Sequence, residues 1–173
     1  MPHKLLTFLI RYIADSRISL LKNLLIRIFI LIYKPDLNEA IHSDIKLYSS
    51  YNDFFTRKLK VDARNIELSK NDFISPVDGE IVDHGKIEMG KLIQAKNYHY
   101  DLSELIGSGY ESLYEKGYFI TIYLAPTDYH RIHCPFEGQI ERSDHLGEYL
   151  YSVNRSAQNS IPKLYLKNER AVL

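Results

Sequence analysis

The residues of this chain best suited to chemistry are one carboxylate and two imidazoles. Asp78 stands in Ser75-Pro76-Val77-Asp78-Gly79, and His130 and His133 stand in Asp128-Tyr129-His130-Arg131-Ile132-His133-Cys134-Pro135. An Asp that orients a His, and a His that titrates near neutral pH, can activate a hydroxyl nucleophile or move a proton. Plainer readings compete with this one. Pro-Val-Asp-Gly is a good turn sequence, because Pro presets φ and Gly accepts positive φ, so Asp78 can be a turn residue. His130 and His133, three residues apart, can be a metal pair or two satisfied polar groups. Metal is the weakest of these options: no Cys-x-x-Cys or His-Glu-x-x-His spacing adds ligands, and Cys134 is the single cysteine.

The elements that must position these groups follow from composition and pattern. A length of 173 residues suits one domain, and a hydrophobic fraction of 45% is that of a folded chain. With 22 basic and 22 acidic residues the net charge is zero, which argues against a nucleic-acid partner held by phosphate neutralisation. One cysteine excludes an internal disulfide and fits a reducing compartment.

The zero balance hides a basic N-terminal arm. Residues 1–34 hold Lys4, Arg11, Arg17, Lys22, Arg27 and Lys34 against the single acid Asp15. Lys4, Thr7, Arg11, Asp15, Ser19 and Lys22 recur every three or four residues and draw a polar stripe on helices otherwise made of Leu, Ile and Phe. Leu20 to Tyr33 is strongly apolar, yet Lys22, Asn23 and Arg27 interrupt it, and a span of the bilayer needs about 20 nearly uncharged residues. The arm is expected to lie in a membrane interface. A helical pair packed on the domain is the competing reading. A signal peptide is excluded by the internal charges and by the lack of a small-x-small cleavage site.

Lys34-Pro35-Asp36-Leu37 ends the arm, since Pro disfavours helix in the residue before it. A short helix is expected from Leu37 to about Leu47, with Ser50 to Leu59 leading into the body. After residue 72 the pattern turns to strands: Phe73-Ile74, Gly79 to Val82, Lys91 to Ala95, Tyr118 to Leu124 and Gly138 to Ile140, punctuated by Gly and Pro. Leu102 to Ile106 reads as a short helical turn. The 14 tyrosines suit strand faces with a wet edge. The expected fold class is α+β: amphipathic helices over residues 1–48, associated with a membrane, then a mainly antiparallel β domain over 49–173 that looks cut at its end.

Several stretches in fixed order resemble one family. They are Phe54-Phe55-Thr56-Arg57-Lys58-Leu59, Ser75 to Gly79, Gly85-Lys86-Ile87, Gln94-Ala95-Lys96, Tyr123 to His133, Tyr151-Ser152-Val153-Asn154 and Asn168-Glu169-Arg170. The whole chain is similar to the bacterial, pyruvoyl-dependent phosphatidylserine decarboxylase proenzyme. By this family resemblance Tyr165-Leu166 and Ala171 to Leu173 are expected as strands. The resemblance implies a carboxy-lyase of phospholipid biosynthesis that converts phosphatidylserine to phosphatidylethanolamine and carbon dioxide. It implies a protein-bound keto group, made from a serine in a Leu-Gly-Ser-Thr segment, as the electron sink in place of a dissociable cofactor. That serine is expected beyond residue 173, on an alpha chain released by self-cleavage, which would make the present chain an incomplete proenzyme without activity alone.

Gly107-Ser108 lies upstream of His130 and reads as a turn instead. By the same resemblance Asp78 and His133 pair with the missing serine as a protease-like triad, Asp78 orienting His133 and His133 taking the serine proton. His130 takes the decarboxylation step, protonating the carbanion. Cys134 stands where Met is commoner, and Asn65 follows Arg64 where Pro is common. The resemblance further implies a peripheral place on the cytoplasmic side of the cell membrane, with residues 1–34 on an anionic surface, and leaves room for a homodimer. The alternative is a non-catalytic membrane- or lipid-binding β module of the same descent. A His-pair metal hydrolase lacks ligands.

Overall fold

The computed structural model describes residues 2–64, 66, 72–94 and 98–173, so Asn65, Ala95 and Lys96 of the stretches above lie outside the described residues. The chain forms two compact units, one of residues 5–80 with 123–138, the other of residues 1–4, 81–122 and 139–173.

In the first unit, helix α1 (Pro2–Ala14) and helix α2 (Ser19–Tyr33) are followed by a 3-10 turn at Ile45–Leu47 and helix α3 (Tyr51–Phe55). Helix α2 stops where Lys34 turns left-handed at φ 50°, ahead of Pro35. Asp44 caps the 3-10 turn by accepting from the Lys46 amide at 2.9 Å. Ser50 caps α3 by accepting from the Asp53 amide at 3.1 Å, while Asp53 reaches back to the Ser49 amide at 2.8 Å. The core is aromatic. Ile26 and Phe29 of α2 meet Tyr48 and Phe54, with Leu37, Ile45, Tyr51 and Phe55 packed around them.

Lys22, expected on an exposed polar stripe, is 5% exposed. Its ammonium donates to the carbonyls of Lys46 at 3.1 Å and Tyr48 at 2.6 Å, so α2 is tied to the turn that follows it. The other face of α2 is bare: Leu20, Leu24, Ile28, Leu31 and Ile32 are exposed, as are Phe8, Leu9 and Tyr12 of α1. No helix among the described residues is long and apolar enough to cross a membrane.

The helix expected over Leu37 to Leu47 is absent except for its last turn. Asp36 accepts from the Asn38 amide at 2.8 Å, and the following residues pair with 58–60 instead, through Ile41 N to Lys58 O at 2.9 Å and Lys60 N to Glu39 O at 2.8 Å. A non-local strand-like partner wins over a weak local helical pattern.

The second unit holds the strands. β1 (Glu80–Lys86) pairs with β4 (Tyr118–Tyr123); β2 (Lys91–Gln94) pairs with β3 (Tyr98–Asp101) antiparallel, Lys91 opposite Asp101; β5 (Asp144–Leu146) pairs with β6 (Arg170–Val172) antiparallel, Asp144 opposite Val172. Short helices fill the connections: α4 (Leu102–Ile106), α5 (Glu111–Tyr114), α6 (Arg155–Ser160) and α7 (Leu164–Lys167). Ile87, Tyr100 and Leu102 form the buried centre, with Leu105, Ile106, Phe119, Tyr165 and Leu166 against it. Arg170 ties β6 to two of the helices, donating to the carbonyls of Leu105 at 2.7 Å, Glu104 at 2.6 Å and Leu166 at 2.9 Å.

The architecture is the α+β class expected, with three corrections of detail. Tyr165-Leu166 is a helical turn, opened by Lys163 in the left-handed region at φ 53° and closed by Asn168 N to Leu164 O at 3.0 Å. Gly138 to Ile140 is not a strand; its glycine has no side chain to pack and Ile140 is exposed. Phe73-Ile74 makes a ladder bond without regular strand geometry, Ile74 N to Pro135 O at 3.0 Å.

Candidate functional site

All three chemically suited residues fall in the first unit. Pro76 to Gly79 forms consecutive bends, entered from Ser75, whose hydroxyl donates to the Val77 carbonyl at 2.6 Å. This segment lies alongside the second motif in antiparallel sense, through the Ile74 bond and His133 N to Pro76 O at 2.8 Å. The backbone therefore brings the Asp78 bend beside His133.

Their side chains have other partners. The Asp78 carboxylate accepts from Arg64, with Nε to Oδ2 at 3.2 Å, and Arg64 spans onward to both oxygens of Glu39 at 2.9 Å. These carboxylates hold the Arg64 guanidinium well above its ordinary pKa, the bond to Asp78 first and that to Glu39 second. The His133 ring stacks on Tyr129, centroids 5.5 Å apart, and its Nε2 is hydrogen-bonded to the buried Tyr129 hydroxyl at 2.8 Å. No hydrogen bond joins Asp78 to His133 among the described residues, and Nδ1 of His133 has no partner among them.

His130 is built differently. It is half-buried and stacks on Phe55 with centroids 4.1 Å apart and planes 24° from parallel. Its Nε2 meets the Ala125 carbonyl at 3.0 Å. A carbonyl only accepts, so in the neutral ring Nε2 carries the hydrogen and Nδ1 is the acceptor. Burial pushes its pKa below the ordinary histidine value; the bond to Ala125 opposes that shift, and the charge of Arg57 adds to it. Arg57 is 3% exposed and donates from Nη2 to the Thr127 carbonyl at 3.0 Å. Its Nε and Nη1 are buried without a partner among the described residues. Burial, too, lowers the pKa of Arg57 from its ordinary value.

Sequence reasoning named Asp78, His130 and His133 and gave no role to Arg57, Arg64 or Tyr129. Arg57 could have been found: a cation two residues after an aromatic pair, in a run that must enter the core, needs carbonyl partners. No spacing signals Arg64, which lies fourteen residues from Asp78, while Tyr129 sits four residues before His133. Gly107-Ser108-Gly109 is a turn with both glycines at positive φ, 87° and 102°. Among the described residues no group of three or more His, Cys, Asp and Glu side chains could hold a metal ion.

Comparison with known proteins identifies the family. A family model described as phosphatidylserine decarboxylase matches residues 51–173, and one described as PSD matches residues 1–34. The phosphatidylserine decarboxylase proenzyme of Bordetella avium (strain 197N) is 42% identical over 173 residues, covering 99% of this chain and 59% of the relative. The proenzyme of Idiomarina loihiensis is 42% identical with 99% and 60% covered, and that of Psychromonas ingrahamii 41% identical with 99% and 61% covered. The chain thus spans about three fifths of the length of these relatives. With one family model over more than two thirds of its residues, the chain belongs to the phosphatidylserine decarboxylase family.

Proposed function

We propose that this chain carries the acid–base groups of a decarboxylase that converts phosphatidylserine to phosphatidylethanolamine at a membrane surface. The observation that carries the reading is the neutral, half-buried His130 fixed against Phe55, in a segment whose backbone also sets His133 beside the Asp78 bend. A pyruvoyl group, the cofactor implied by the family, would supply the electron sink for the broken carbon–carbon bond. The donors present fit such a group: the buried Nε and Nη1 of Arg57 are N–H groups of the kind that stabilise an oxygen gaining negative charge. Arg57 and His130 are the residues that would hold it.

In this reading the bond between the substrate Cα and its carboxylate breaks, carbon dioxide leaves, and imidazolium His130 returns one proton to Cα from Nδ1. A depressed pKa makes that imidazolium a stronger acid than an exposed one. Stacking on Phe55 excludes water from one ring face. Maturation uses the other histidine. His133 exchanges its Tyr129 partner for a serine hydroxyl, Nε2 takes the proton, and Nδ1 turns to the Asp78 carboxylate, which orients it. The serine oxygen then attacks the preceding carbonyl; the peptide C–N bond breaks as an ester forms, and His133 returns its proton to the leaving nitrogen. The alpha chain of the mature enzyme is the partner this requires.

The exposed apolar faces of α1 and α2, beside Arg11, Arg17 and Arg27, support peripheral binding of residues 1–34 to an anionic lipid surface on the cytoplasmic side of the cell membrane. The test of the activity joins this chain to the part of the Bordetella avium relative that lies beyond the match. The fusion is expected to release carbon dioxide from phosphatidylserine vesicles and to lose that activity with a carbonyl reagent. A fusion that is cut in two, keeps its fold and releases none would contradict the reading.

A further inference from the structure

Two arginines of opposite direction hold the His130 segment to the end of α3. Arg57 donates from Nη2 to the carbonyls of Thr127 at 3.0 Å and Asp128 at 3.4 Å, and Arg131 donates from Nε to the carbonyl of Thr56 at 2.7 Å. The chain between them closes on itself. Asp128 N donates to Ala125 O at 2.9 Å, while the Asp128 carboxylate accepts from the Ala125 amide at 2.7 Å and the Thr127 hydroxyl at 3.2 Å. The Ala125 carbonyl, so fixed, is the one that also accepts from His130 Nε2.

Guanidinium forks suit this task because they are planar and pre-organised. All three of the guanidinium bonds named end on main-chain carbonyls, so they fix backbone and not side chains. The charge of Arg57, left without a bonded carboxylate, faces His130 from just beyond the C-cap of α3 and favours its neutral form; Asp128, from the histidine's own segment, acts in the opposite sense.

We infer that Arg57 and Arg131 are positioning residues that set the tautomer of His130, making Nδ1 the nitrogen through which it exchanges protons. The inference rests on the proposed decarboxylase for the reaction served, and on the geometry alone for the tautomer.

Imidazole nitrogen NMR of the 173-residue protein through a pH titration tests it, on wild type, R57K, R57M and R131K, with circular dichroism of each. Wild-type His130 above its pKa is expected to carry the hydrogen on Nε2, with Nδ1 bare, and to titrate below the ordinary histidine value. R57M is expected to raise that pKa by removing a positive neighbour, R57K to raise it less, and both, like R131K, to mix the tautomers. The His133 signals, whose ring is bonded to Tyr129, serve as the internal control. A wild-type His130 hydrogen on Nδ1 overturns the inference. So does a wild-type tautomer and pKa retained in R57K and R131K with native dichroism. Should R57M fail to fold, the wild type and the two lysine variants decide. A fusion that turns over no lipid, with the Nε2–H tautomer intact, would count against the decarboxylase and leave this inference standing.

Discussion

At the scale of single residues, the two histidines of one motif have unlike surroundings, and that difference predicts unlike behaviour. His130 is half-buried with its pKa depressed, chiefly by burial, so the folded state favours the neutral ring. The sign follows from linkage. A histidine whose folded pKa lies below its unfolded value of about 6.5 contributes its stability above that pH. The contribution is lost as pH falls through the folded pKa. Denaturant unfolding of the wild type should therefore lose more stability between pH 7 and pH 5 than that of His130→Asn; parallel curves would show the ring to be solvated. Asp78, His130 and His133 were legible in the sequence because few residue types move protons and these lie in recognisable stretches. Their partners were not. Whether Asp78 meets Arg64 or His133 depends on where a loop fourteen residues away lands, which no local spacing encodes.

At the scale of elements, α2 has two apolar faces with different fates. Ile26, Phe29 and the Lys22 ammonium are buried, while Leu24, Ile28 and Leu31 are exposed. Lys22→Ala leaves the buried Tyr48 carbonyl and the part-buried Lys46 carbonyl unpaired and should lower unfolding stability by roughly 2–4 kcal/mol, read from urea denaturation. Phe29→Ala, which empties the aromatic centre, should cost about 3–5 kcal/mol. Changing Leu24, Ile28 and Leu31 together to Gln should leave stability within about 0.5 kcal/mol per site and weaken co-sedimentation with anionic vesicles. Equal vesicle binding by the triple variant would turn attention away from α2 as the lipid-facing element. The helical period was readable from the sequence, but it marks apolar residues without saying which stripe meets protein. Lys22 was misplaced for the same reason: a long side chain on a polar stripe can reach inward when carbonyls await it.

At the scale of the whole molecule, the strands were legible where Gly and Pro punctuate β-branched and aromatic residues, as at β1, β2 and β4, while β6 followed from the family resemblance. β3 and β5 were not, because Tyr98 to Asp101 and Asp144 to Leu146 are too short to establish a period and are strands only through their partners. The β5–β6 unit depends on one close approach. Gly147 has φ +85°, and a Cβ there would stand 2.1 Å from the Asn168 carbonyl oxygen. Gly147→Ala should cost more than about 2 kcal/mol and lower the melting temperature of the second unit. A thermal scan unchanged from wild type would show that the Asn168 backbone yields freely.

The division of labour between the histidines is tested most directly by gel and gas together, on the fusion with the downstream part of the Bordetella avium relative. His133→Ala and Asp78→Asn are expected to leave the chain in one piece, since the serine then lacks its base or that base its orienting carboxylate. His130→Ala is expected to be cut at the normal rate and to release no carbon dioxide, since cleavage needs no proton delivered to lipid. A His130→Ala chain that stays whole, or a His133→Ala chain cut as fast as wild type, would contradict the account.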